Sequence, residues 1–227
     1  MTPSLSNKRA LVLGATGNVG HGVVQAMLAA GASVLAPTRS AERARELAQA
    51  FPKGGFEPIV GDISDATSSP ALAQAVAERG PIDHVVASLG PWWQGGPVAE
   101  QDPQEWARVR AMLLDGHVHA AELFLPRLHG REGASYTIIT GMGAHHVMPG
   151  TSLLYVATGG VLSLSKVLRA EYERGPVRVN EVLISARIEK RPRSGVIESA
   201  VFGEAIVSLV TGERRGEVVE FPEPRGR

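Results

Sequence analysis

Gly14, Gly17 and Gly20 are spaced to form a tight turn, and the apolar run Leu11–Leu13 leads into them. An amphipathic pattern then continues from Val19 to Ala30. A buried strand, a glycine turn and a helix start form the arrangement that receives a dinucleotide pyrophosphate. Glycine lets the backbone turn sharply and approach a phosphate, while the first N–H groups of the helix face its negative charge. The expected contacts in this stretch are Gly14, Thr16, Gly17, Asn18, Val19 and Gly20.

Further along, Pro37–Ser40 follows a second apolar run, and Arg39 stands where an acidic residue would accept a ribose 2′-hydroxyl. A guanidinium there suits a 2′-phosphate, so NADP(H) is expected over NAD(H). Asp62 and Ile63 close a third strand, where the Asp can meet an adenine amino group or cap the following turn. Ser88 and Gly90 end a fourth strand with side chains small enough for the backbone to pass beside a cofactor. Trp92 and Trp93, in the Gly/Pro-rich stretch beyond, are candidates for a substrate wall or for internal packing. His145 and His146 follow the fifth strand and could exchange a proton near neutral pH or make ordinary loop contacts. His117 and His119 lie two apart on a helical pattern and therefore on different faces, so no metal site is read from them.

These residues need a frame, and the chain supplies one. Strand patterns at Ala10–Leu13, Ser33–Ala36, Glu57–Val60, His84–Ala87, Ser135–Thr140, Arg178–Leu183 and Glu217–Phe221 alternate with helical patterns. The helical ones are Val19–Ala30, Ala41–Ala50, Ala71–Glu78, Gln104–His129, Thr151–Arg174 and Ser199–Val210. Such alternation predicts a Rossmann-like, doubly wound α/β fold: about seven parallel strands with helices on both faces. A single domain is expected over 1–227, with its core at about 8–221 and a frayed tail at 222–227. Lys plus Arg and Asp plus Glu both total 23, so neither nucleic acid nor an anionic membrane surface is indicated as a partner. No apolar stretch reads as a membrane span and the N-terminus is polar, so a cytoplasmic location is expected. With no cysteine, thiolate catalysis and thiolate metal sites are excluded.

The glycine turn, Gly61-Asp62, Ala87–Gly90, Leu125-Pro126 ending a long helix, Tyr155 heading the next and Arg178–Asn180 entering a strand resemble the short-chain dehydrogenase/reductase family. The glycine spacing is similar to its extended and atypical branches, the length and Arg178–Asn180 to its ordinary branch. The resemblance implies a nicotinamide cofactor, a small-molecule carbonyl or alcohol substrate and a homodimer or homotetramer. It also implies proton transfer by Tyr155, assisted in the family by a lysine four residues later, a serine and an asparagine. Gly159 stands at the lysine position, and Lys166 is eleven residues beyond the tyrosine. The serine position falls at Gly141 or Met142, where Thr140 is the nearby hydroxyl and Met142 a candidate pocket residue. Leu113 stands at the asparagine position, and Ile184-Ser185 replaces a Pro-Gly turn.

Lowering a tyrosine pKa from about 10 to about 7 is worth roughly 4 kcal/mol, so losing the lysine is a large deficit. Two adjacent glycines in a helix each cost about 1 kcal/mol, which close approach of a neighbour would offset. Three readings stay open: an NADP(H)-dependent oxidoreductase using Tyr155, a degenerate NADP(H)-binding sensor or partner protein, and non-redox chemistry with His145 or His146 as base. The charged run Arg187–Ser194 reads as a solvated loop.

Overall fold

A computed structural model describes residues 4–141 and 146–223. Seven parallel strands build its main sheet: β1 (Arg9–Leu13), β2 (Ser33–Thr38), β3 (Phe56–Val60), β4 (His84–Ala87), β5 (Ser135–Gly141), β6 (Arg178–Ile184) and β9 (Val218–Phe221). They lie in the order β3-β2-β1-β4-β5-β6-β9. The order reverses between β1 and β4, and beyond the carboxyl ends of those strands an open α/β sheet leaves its crevice.

The sheet is covered on both faces because its strands alternate. Leu11 and Leu13 of β1 enter one core with Ile59, Val85, Phe124, Tyr136 and Leu168. Ala10 and Val12 enter the other with Val23, Met27, Phe202 and Ile206. Helix α1 (Asn18–Ala29) lies on the second face beside α2 (Ala41–Ala50) and α7 (Ser199–Thr211). Helices α3 (Ser69–Glu78), α5 (Gly116–Phe124) and α6 (Ser152–Glu171) cover the first. By length and composition α6 could cross a bilayer, which corrects the reading that no stretch comes near to this. Here it lies on the sheet, with Leu153, Leu154, Ala157 and Val161 buried.

Two departures from the sequence pattern bear on the site. The single helix expected over Gln104–His129 is α4 (Pro103–Arg110), a π-helical turn at Ala111–Asp115, and α5. Periodicity alone does not register one extra residue in a turn. Between β6 and α7 the expected loop instead contains a short parallel ladder, β7 (Ile188–Glu189) with β8 (Ile197–Glu198). The adjacent glycines on α6 behave differently from one another. A Cβ on Gly160 would stand 2.8 Å from Leu114 of the π turn, so this glycine admits a close neighbour. Beside Gly159 no described residue comes within 4 Å of where a Cβ would stand.

Candidate functional site

Two adjoining cavities open at the carboxyl ends of the strands, sharing Ser88, Leu89, Gly90 and Pro91 as a common wall. The smaller, about 260 Å³, lies over β1, β2 and β3 and is lined by Gly14, Thr16, Gly17, Arg39, Asp62 and Ile63 among others. Gly14 adopts φ +86°, and a Cβ there would stand 1.9 Å from the Ser88 carbonyl oxygen. The turn can therefore sit against β4 only because the residue is glycine. At Gly17 a Cβ would meet nothing nearer than 3.4 Å, so the space beside it is open. Helix α1 starts there with no side-chain cap and no acidic residue in its first turn. Its free N–H groups and the positive end of its dipole face an uncontested spot for an anion.

Of the expected contacts, Arg39 is exposed at the rim. Asp62 Oδ1 accepts from Ser64 N at 2.9 Å and Ser64 Oγ at 2.6 Å, so the carboxylate caps its own turn while lining the cavity. Asn18 and Gly20 lie in the first turn of α1, and Val19 reaches the other cavity. Gly20 packs on the turn itself, where a Cβ would stand 2.3 Å from Gly14 O.

The larger cavity, about 490 Å³, extends over β5 and β6 and is mostly apolar, with Leu113, Ile139, Leu154, Val161 and Ile184 in its walls. The face of α6 turned toward it carries Leu154, Thr158 and Val161, spaced four and three residues apart. Tyr155 is one residue off that face and does not line the chamber; its hydroxyl is buried, with no hydrogen-bond partner among the described residues. Thr158 donates its hydroxyl to Leu154 O at 2.7 Å. Thr140 lines the chamber, yet its hydroxyl donates to Glu181 Oε1 at 2.7 Å. Glu181 is buried on β6, also accepts from Ser165 Oγ at 2.7 Å, and lies 3.8 Å from Arg169.

Trp92 lines the chamber, whereas Trp93 is buried and donates its indole N–H to Glu105 Oε1 at 2.6 Å. Trp93 packs with Val109, Leu113, Leu153, Leu154 and Ala157, so it is part of a small core and not of the wall. Arg108 and the Trp93 indole hold the Glu105 carboxyl down at about 2. His146 is exposed and does not line either cavity; Met142 and His145 lie outside the described residues.

His117, considered from sequence only as half of a metal pair, is instead a chamber residue. It is fully buried, with Nε2 at 3.3 Å from Leu89 O and Nδ1 unpartnered. Burial pushes its pKa down to about 4, so the ring is uncharged at neutral pH. Its position was legible: Leu113, His117, Ala120 and Phe124 form the buried stripe of the π turn and α5. His119 points elsewhere, with Nδ1 at 2.9 Å from Ile63 O.

A family model described as enoyl-(acyl carrier protein) reductase matches residues 14–213. A short-chain dehydrogenase, pigC, of Monascus ruber is 32% identical over 179 residues, which is 74% of this chain and 58% of that protein. The chain belongs to the short-chain dehydrogenase/reductase family. A D-threitol dehydrogenase of Mycolicibacterium smegmatis is 31% identical over 181 residues, 78% of this chain and 69% of that one. The fold is that of the family's solved members. A Brucella melitensis short-chain dehydrogenase/reductase superposes with a TM-score of 0.84 at 23% identity, covering 97% of each chain. An NADPH-bound short-chain oxidoreductase of Pseudomonas aeruginosa, described as having an atypical catalytic centre, gives 0.83 at 24% identity, covering 98% of this chain and 99% of that one.

Members of this oxidoreductase family bind a nicotinamide cofactor, and the smaller cavity fits its phosphate-bearing half. The space beside Gly17 and the uncapped start of α1 are what a pyrophosphate requires.

Proposed function

We propose that the protein is an NADP(H)-dependent oxidoreductase whose substrate is a small, largely apolar carbonyl compound or alcohol held in the 490 Å³ chamber. One observation carries this reading: a phosphate-accepting cavity with Arg39 at its rim joins an apolar chamber along Ser88–Pro91. When bound, the nicotinamide supplies or accepts the electrons of the redox step. The turn Gly14–Gly17 and the first N–H groups of α1, from Asn18 onward, hold the pyrophosphate. Arg39 would hold the 2′-phosphate, Asp62 and Ile63 would meet the adenine, and Ser88 and Gly90 would leave room for the nicotinamide ribose.

Proton delivery is where this chain differs from its family. Leu154 and Thr158 turn toward the chamber, and Thr140 has given its hydroxyl to Glu181. An uncharged His117 orients a substrate by hydrogen bonding and carries no excess proton to give at neutral pH. Slow turnover is the consequence, with solvent entering beside the exposed Trp92 and Arg187 as the proton source.

The buried hydroxyl of Tyr155 also supports a second reading, a nucleotide-binding protein without turnover. Calorimetry with NADPH and NADH on the protein and on Arg39→Ala, followed by NADPH absorbance over a carbonyl panel, separates the two. We expect NADPH to bind at least about tenfold tighter than NADH, with Arg39→Ala removing most of the difference. Binding with no turnover on any panel member selects the second reading, and no binding of either nucleotide overturns both.

A further inference from the structure

A second cation stands beside Thr16, a residue that lines the smaller cavity. It comes from the charged run between β6 and α7, which the β7–β8 ladder folds back toward the glycine turn. Within that run Glu189 pairs with Arg187 at 2.7 Å and also with Arg193, so these two guanidinium groups share one carboxylate. Lys190 is spared, and its ammonium donates to the Thr16 carbonyl at 3.3 Å. Thr16 and Arg39 line the same cavity, and Arg43 follows Arg39 by four residues on the first turn of α2. Among the described residues neither Arg39 nor Lys190 has a carboxylate within ion-pair distance. Arg43 has one, Glu46 at 2.9 Å.

Partial burial and the positive charge of Arg43 hold the Lys190 ammonium below its usual range, against a smaller opposing pull from Glu46. Cations gathered around an open cavity repel one another until an anion lies between them. A single carbonyl oxygen offsets little of that repulsion, so the lysine is free to exchange it for a phosphate oxygen.

We propose that Lys190 closes over the adenosine end of the bound dinucleotide and, with Arg39, grips its 2′-phosphate, making the β7–β8 segment a determinant of NADP(H) preference. The inference rests on the NADP(H) reading above. The other phosphate within reach is the pyrophosphate, but the start of α1 already offers N–H groups to it. Lys190 lies beside Thr16 of the glycine turn and feels the charge of Arg43 on α2, the helix that Arg39 and Ser40 lead into.

Calorimetry on Lys190→Met, Lys190→Arg and Arg191→Ala, with adenosine 2′,5′-bisphosphate, ADP, NADPH and NADH as ligands, tests it. Lys190→Met is expected to weaken NADPH and the 2′,5′-bisphosphate by about tenfold and to leave ADP and NADH within about twofold. Lys190→Arg should keep the preference. Arg191→Ala, removing an exposed cation one residue away, should shift every ligand by less than about twofold. Equal losses for ADP and the 2′,5′-bisphosphate would assign Lys190 to the pyrophosphate and overturn the proposal. So would unchanged NADPH binding in Lys190→Met, and in that case the NADP(H) reading stands if wild type still prefers NADPH. A wild-type protein that binds no nucleotide overturns both.

Discussion

Leu154, and not Tyr155, faces the chamber from the head of α6. A tyrosine heading the long helix after β5 is where the family's proton donor is sought, yet a helix presents a new face every residue. The face toward the chamber is set by Leu154, Thr158 and Val161, and Tyr155 is turned off it with its hydroxyl buried and, among the described residues, unpartnered. An unpaired buried hydroxyl costs stability, so Tyr155→Phe is expected to leave the unfolding free energy unchanged or raise it by up to about 1 kcal/mol. NADPH affinity should stay within about twofold. Urea unfolding and calorimetry on the one variant check both, and a loss above about 1 kcal/mol would show that the hydroxyl has found a partner. The residue type was legible in the sequence. The direction in which it points was not, because a one-residue offset depends on how α6 seats on the sheet.

At the scale of elements, the strands were legible to within one or two residues, since buried parallel strands read as continuous apolar runs. Two features were not: the π turn at Ala111–Asp115 and the β7–β8 ladder, each too short to carry a period of its own. Arg178 and Asn180, read as a family signature, turn out to fasten elements. Arg178 donates to Val210 O at 2.8 Å and Gly133 O at 2.7 Å, and Asn180 donates to Arg214 O at 2.8 Å. The seat of β8 depends on α7, which is held against α1 by two glycines. A Cβ on Gly203 would fall 2.1 Å from Gly22 O, and one on Gly22 1.9 Å from Ser199 O. Backbone lies on the far side of both contacts, so the helices must separate if either glycine gains a methyl. Gly203→Ala is expected to cost about 1–3 kcal/mol and to lower the thermal midpoint by several degrees. It should also weaken NADPH binding, because β8 leads directly into α7 and carries the Lys190 segment with it. An unchanged midpoint in differential scanning calorimetry would mean that the two helices have slack the contact distances deny.

At the scale of the whole molecule, two histidines among the described residues are folded into the interior as neutral rings. His117 lines the chamber, and His84 on β4 lies at 2.9 Å from Ser135 Oγ. Burial brings each to about 4 from an ordinary 6.5, at His84 against the opposing pull of Asp83. Well above pH 6.5 neither the folded nor the unfolded chain protonates these rings, and their effect on stability vanishes. Between 6.5 and 4 the unfolded chain takes up protons that the folded chain refuses, so stability falls as pH falls. At pH 5 each histidine should cost about 2 kcal/mol relative to neutral pH, a sizeable share of the stability of a domain. The Asp83 carboxyl, held below its usual range by the Arg9 backbone N–H and by Arg131 against the cost of burial, adds a loss only at still lower pH. Urea midpoints at pH 7 and pH 5 for wild type, His84→Gln and His117→Gln measure the share of each ring. Each variant should lower the neutral-pH midpoint yet flatten the dependence on pH by the share of one ring, about 2 kcal/mol between pH 7 and pH 5. A wild-type midpoint that does not move between the two pH values would mean that both rings are hydrated in the folded chain. The apolar chamber around His117 would then be open to water, and a substrate there would meet a charged imidazolium in mild acid.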